Sequence, residues 1–129
     1  MATDFAPVFT ELRAILRRHA APYSVTEDSA TRYCLEATPG PATIRAWRGS
    51  MRRRTIPVAW VDVGKTYVSF HLMGMYGNTV LAKSMTTPLK ARMQGKTCFN
   101  FTAVDVQLLK ELDAITARSL AGMKAAGFI

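Results

Sequence analysis

The chain is poor in the residues that staple folds or ligate metals. Among its 129 residues there are two cysteines, Cys34 and Cys98, and two histidines, His19 and His71. The cysteines lie far apart and form no CxxC pair, which is too little for a thiolate zinc site. Each sits in a strand-like run, where a free cysteine packs as a small apolar residue, and no disulfide is expected. Long apolar runs are missing as well. Nothing approaches the ~18 residues of a membrane span. The opening MATDFAP has neither the basic nor the apolar region of a signal peptide. No repeat or low-complexity tract interrupts the chain. These absences point to a cytoplasmic protein without membrane contact.

Acidic residues are scarce where basic ones are dense. Residues 37–104 hold ten Lys/Arg and one carboxylate, Asp62, giving +9, while the rest holds seven basic and eight acidic residues, giving −1. That asymmetry suits an anionic ligand or macromolecule. The densest point is the segment 45–54, with Arg45, Arg48, Arg52, Arg53 and Arg54. Trp47 or Trp60 beside it suits stacking on a nucleic-acid base. No helix-turn-helix, RRM or zinc-finger pattern accompanies the cluster. The plain alternative is a solvated surface loop.

What the chain does have is core. Apolar residues make up 49% of it and charged residues 20%, the mixture of an ordinary globular domain. The length suits a single domain over 1–129. Phe5, Val8, Phe9, Leu12, Ile15 and Leu16 recur at helical spacing, with Thr3 or Asp4 as the cap. Two short strands follow, 23–27 and 31–37, and then a loop over 38–50. In PVAWVDVGKTYVSFHLM, Gly64-Lys65 reads as a two-residue type II′ turn. That register sets Val63 opposite Thr66, Val61 opposite Val68 and Ala59 opposite Phe70 on a core face. The other face carries Val58, Trp60, Asp62, Tyr67, Ser69, His71 and Met73. Asp62 then faces Tyr67, and Val58 faces His71. A helical stretch over 79–85 and a short helix over 88–94 follow, the latter ending at Gly95 as the C′ residue. Residues 97–101 alternate as a strand, and Thr102 caps a final long helix with Asp105 three residues on. Terminal helices around central strands predict an α+β two-layer sandwich, with an antiparallel sheet of about five strands packed on both helices.

Two long motifs carry a resemblance: GKTYVSFHLMGMY at 64–76 and PLKARMQGKTCFNF at 88–101, helped by RYCLEAT and the final MKAAGFI. They resemble the signature of the YdhG-like family of domains of unknown function, over nearly the whole chain. The resemblance implies a frataxin-like sandwich. It also implies an alternative role, because some relatives are labelled iron chaperones by analogy with frataxins, which use an acidic ridge on the first helix and adjoining strand. The corresponding carboxylates here, Asp4, Glu11, Glu27, Asp28 and Glu36, are scattered in sequence. Hard cations need converging carboxylates. No metal ligand set and no cofactor are assigned.

The candidate site follows from the alternation. If the strands pair as read, Trp60, Tyr67, His71, Lys96, Cys98 and Asn100 meet on the mixed sheet face. His71 and Cys98 then suggest a second alternative, a small enzyme with a base and a nucleophile. A structural histidine and a packed thiol explain the same residues. Lys96, after Gly95, also reads as an anion contact, or as a lysine facing water at a helix exit. The leading expectation is a non-enzymatic binding or adaptor domain. It contacts an anionic partner or small ligand through the mixed face and the basic loop. A homodimer that buries that face is an alternative use of it.

Overall fold

The computed structural model describes residues 4–47 and 54–129. Helix α1 (Ala6–Arg18) leads into strands β1 (Ser24–Asp28) and β2 (Arg32–Ala37) and a short helix α2 (Pro41–Ala46). Strands β3 (Ile56–Val63) and β4 (Val68–Leu72) form the central hairpin. A 3₁₀ turn over Met73–Met75 and helices α3 (Thr79–Ser84) and α4 (Thr87–Lys90) come next. Strands β5 (Met93–Gln94) and β6 (Cys98–Phe101) precede the long helix α5 (Val106–Ala125). All six strands join one antiparallel sheet in the order β1-β2-β3-β4-β6-β5. This is the expected α+β arrangement, with one strand more than the sequence suggested.

The sheet's inner face is built by alternation: Tyr33 and Leu35 on β2, Val61 on β3, Val68, Phe70 and Leu72 on β4, Phe99 and Phe101 on β6. Helices α1 and α5 close over it. Their apolar stripes, Val8 to Leu16 on α1 and Leu108 to Met123 on α5, are buried in the same cluster. Each fully buried side chain of this size contributes ~1.5–3 kcal/mol. At the far edge of the two helices, Asp113 of α5 accepts from Arg18 at 2.9 Å and lies 2.6 Å from His19 Nε2.

The hairpin corrects the expected register. Val63 faces Val68, Val61 faces Phe70 and Ala59 faces Leu72. The reversal therefore spans Gly64 to Tyr67 and is closed by the Gly64 N–H donating to the Tyr67 carbonyl at 2.9 Å. A type II′ turn needs a positive φ at its first central residue. The positive-φ glycines among the described residues are Gly77, Gly95 and Gly127, so Gly64 does not provide it. The displacement is two residues, one full period of a strand, so the paired residues of the hairpin, 59–63 and 68–72, keep their faces. Tyr67 moves into the loop, so Asp62 faces Ser69, and His71 faces Trp60. Val58 leaves the mixed face. It is the extra residue between the Leu35–Ala59 and Glu36–Pro57 pairs, a bulge that turns it fully inward.

Three further expectations change. The stretch expected as a loop contains α2, with Gly40 at its start and Pro41 in its first turn. The short basic helix stops at Lys90, and Met93-Gln94 pairs with Phe99-Cys98 as a hairpin. Gly95, at φ +77°, is therefore a turn residue between strands and not a helix C′ residue. Helix α5 is capped by Asp105, whose carboxylate accepts from the Leu108 N–H at 3.2 Å, and not by Thr102.

Candidate functional site

The outer sheet face assembles most of the predicted constellation. Antiparallel pairing lines up Cys34, Trp60, His71, Cys98 and Gln94 across five strands. Asp62, Ser69 and Asn100 form the neighbouring row. Trp60 and His71 stack, with ring centroids 4.6 Å apart and planes 14° from parallel. Asn100 is the hub of a hydrogen-bond chain. Its Oδ1 accepts from Ser69 Oγ at 3.0 Å and from Cys98 Sγ at 3.2 Å, and its Nδ2 donates to Gln94 Oε1 at 2.8 Å. Tyr67 reaches the same Gln94 oxygen from the loop at 3.4 Å. Gln94 was invisible in the sequence because its segment reads as a helix end. Treating Gly95 as a hairpin turn would have exposed it.

The electrostatics of this face do not favour nucleophilic chemistry. Burial pushes the Cys98 thiol above its ordinary range, partly offset by Ser69 and reinforced by Asp62. Burial pulls His71 below its ordinary value, against the opposing Asp62 carboxylate 3.8 Å away and with help from Arg32. Cys98 Sγ and His71 Nε2 are 4.0 Å apart. At neutral pH both groups are therefore uncharged, whereas a reactive thiolate needs a depressed thiol pKa beside a cation. Around these two groups the face is a hydrogen-bonding surface, with its charge on Asp62 and Arg32. The carboxylates near it serve the fold. Glu27 pairs with Arg32, Asp28 with Arg17 and Arg13, and Glu36 accepts from Thr26 and Thr55. Among the described residues no group of three or more His, Cys, Asp or Glu could hold a metal ion.

Lys96 is not part of this constellation. The Leu72 N–H donates to the Thr97 carbonyl at 2.9 Å, which brings the β5–β6 turn to the end of β4. There the Lys96 ammonium lies 5.4 Å from the centre of the Tyr76 ring, a cation–π contact. Of the predicted arginine cluster, Arg45 and Arg54 are exposed on either side of the basic segment, and Arg48, Arg52 and Arg53 lie outside the described residues.

Tyr76 belongs to a second site that the sequence reading missed. A cleft of about 900 Å³ opens at one end of the sheet, between α2, the start of β3, the 3₁₀ turn with α3, and the C-terminal end of α5. Trp47, Pro57, Met73, Tyr76, Val80 and Phe128 form much of its wall. Of nine large apolar residues that are exposed among the described ones, five are in that wall: Trp47, Met73, Tyr76, Val80 and Phe128. The wall is held open by specific contacts. Gly40 and Ala42 of α2 donate to the Phe128 and Gly127 carbonyls at 2.8 and 2.9 Å, and Thr43 Oγ1 donates to the Phe128 carbonyl at 2.7 Å. Gly40 admits this approach, because a Cβ there would lie 2.3 Å from the Gly127 oxygen. Opposite, Asn78 caps α3 by accepting from the Leu81 N–H at 3.0 Å. No charged side chain is among the described lining residues.

No family model, no curated protein and no solved structure matches the chain. Among the described residues no helix is long and apolar enough to cross a membrane.

Proposed function

We propose that this chain is a non-enzymatic binding domain whose principal site is the cleft, and that its ligand is a small molecule with a largely apolar body. One observation carries the reading: among the described residues, five of the nine exposed large apolar side chains converge on one concavity of about 900 Å³. Ligand pockets span roughly 300–1,000 Å³ and combine apolar walls with few polar groups. Scattered apolar residues on a surface need no explanation, but a contiguous set around a cleft does. The outer sheet face supports a secondary contact role through neutral hydrogen bonds. The unactivated Cys98 and His71 weigh against the small-enzyme alternative. The motifs at 64–76 and 88–101, together with the α+β architecture, support membership of the YdhG-like family and its frataxin-like sandwich. The unpaired thiols Cys34 and Cys98 fit a cytoplasmic setting.

The test is a titration with N-phenyl-1-naphthylamine, a neutral fluorophore that brightens in apolar surroundings. Saturable binding at one site is expected. It should be lost in Val80→Asp, which puts a charge on the wall at a position 73% exposed and therefore cheap for the fold. A linear, non-saturating signal, or full binding by Val80→Asp, overturns the proposal.

A further inference from the structure

Resting on the cleft reading, we infer that its ligand is an amphipathic organic anion, an apolar body carrying a carboxylate or a like acidic group. The distribution of charge around the cleft argues for this. The elements that wall it come mostly from residues 37–104, where ten cations face one carboxylate. That carboxylate, Asp62, lies on the outer sheet face beside His71. Glu36, the acid paired with Pro57 across the β2–β3 ladder, is held by the hydroxyls of Thr26 and Thr55. Helix α5 supplies the floor, but its acids are spent at its other end: Asp105 on the cap, Glu111 on Thr86, Asp113 on Arg18 and His19. The part of α5 that reaches the cleft, from Gly122 onward, holds Lys124 and no acid.

One cation lies against the wall, and two more neighbour wall residues in the chain. Lys96 is positioned over the ring of Tyr76, itself a wall residue 68% exposed. Arg45 precedes Ala46 and Trp47 of the wall, and Arg54 precedes Ile56. An uncharged lining with the Lys96 ammonium against its Tyr76 wall takes a molecule that is apolar along its length and anionic at one end. A neutral apolar ligand leaves that cation unused, and a small inorganic anion leaves the lining unused. Cations at a low-dielectric rim also concentrate anions before they bind.

The experiment displaces bound N-phenyl-1-naphthylamine with decanoate or with decanol, chains of equal length that differ in charge. Decanoate should displace at least about fivefold more effectively at low salt, and the advantage should shrink as ionic strength rises. Lys96→Met should cut the decanoate advantage about two- to fivefold, the range of one partly exposed ion pair, and leave decanol unchanged. Arg45→Gln and Arg54→Gln, both at exposed positions, provide the same readout should Lys96→Met disturb the β5–β6 turn. Equal displacement by the two chains, or an advantage untouched by all three variants, overturns the anion inference and leaves the cleft reading standing. Failure of the fluorophore to bind saturably overturns both. A dimer in sedimentation that excludes the fluorophore makes a second copy of this chain the occupant, and likewise overturns both.

Discussion

Gly74 is a position where the architecture around the cleft is exposed to a single added atom. It sits in the 3₁₀ turn after β4, pressed against α5. A Cβ at this residue would lie 2.3 Å from Ser119 Oγ, 2.5 Å from the Ser119 carbonyl oxygen and 2.9 Å from Met123 Cγ. Ordinary contacts are ~3.5 Å or more, so Gly74→Ala must part the turn from α5 by roughly 1 Å. Overpacking of this kind costs about 1–3 kcal/mol. For a chain of this length, 2 kcal/mol corresponds to a fall in Tm of about 6–10 °C. Urea unfolding should show a lower midpoint with an unchanged slope. Ser119→Ala separates the two obstacles. Its hydroxyl is fully buried and has no hydrogen-bond partner among the described residues, so removal should cost less than about 0.5 kcal/mol or stabilise. In the double variant the hydroxyl clash is gone but the carbonyl remains, and that oxygen belongs to a helix that cannot yield locally. Rescue should therefore be partial. A Gly74→Ala protein within about 0.5 kcal/mol of the parent refutes the reasoning, as does complete rescue by Ser119→Ala.

Two further outcomes follow from the titratable groups. Burial alone would raise the Asp113 carboxyl, but hydrogen bonds from His19 and Arg18 and their charges outweigh it and hold the group below the usual carboxylate value. A depressed folded pKa means its stabilisation is present above the unfolded value of about 3.9 and is lost as pH falls through the folded one. Asp113→Asn should thus lower stability by about 1 kcal/mol at neutral pH, and its deficit should vanish in acid; pH-dependent urea melts decide, and a constant deficit removes the charge explanation. Cys98, its thiol raised by burial, should react with iodoacetamide in the native fold more slowly than a free thiol, with a rate profile displaced to higher pH. A profile displaced below that of a free thiol would restore the enzyme reading.

The legible parts of the molecule were those with a single repeating signal. The stripe Val8–Phe9–Leu12–Ile15–Leu16 and the alternation Val61, Val68, Phe70, Phe99 each repeat one period, and burial made the choice of face unambiguous. Turn lengths were not legible, because Gly64 and Gly95 can each serve several turn types and only the partners decide. The outer face survived the wrong turn length, since the displacement was even. Helix α2 was hidden behind Pro39-Gly40-Pro41, in a segment too short to show periodicity. The cleft could not be read at all. Its walls come from four stretches, 43–47, 56–57, 73–80 and 122–128, and each alone is a short helix, a strand start, a turn or a helix end. Lys96 was assigned to the sheet face by carrying the alternation of Asn100 and Cys98 one step back. One residue of strand alternation does not predict where a turn lysine reaches.

The two tryptophans fall one to each surface, and this gives the molecule two independent optical channels. Trp60 lies against the His71 imidazole, close enough for a protonated ring to quench indole emission. Trp47, 57% exposed at the mouth of the cleft, is positioned to sense occupancy instead. A chain carrying Trp47→Phe would emit as a proton gauge for the sheet face, and one carrying Trp60→Phe as a ligand gauge for the cleft. Whether the two surfaces communicate can then be seen by filling one and watching the light from the other.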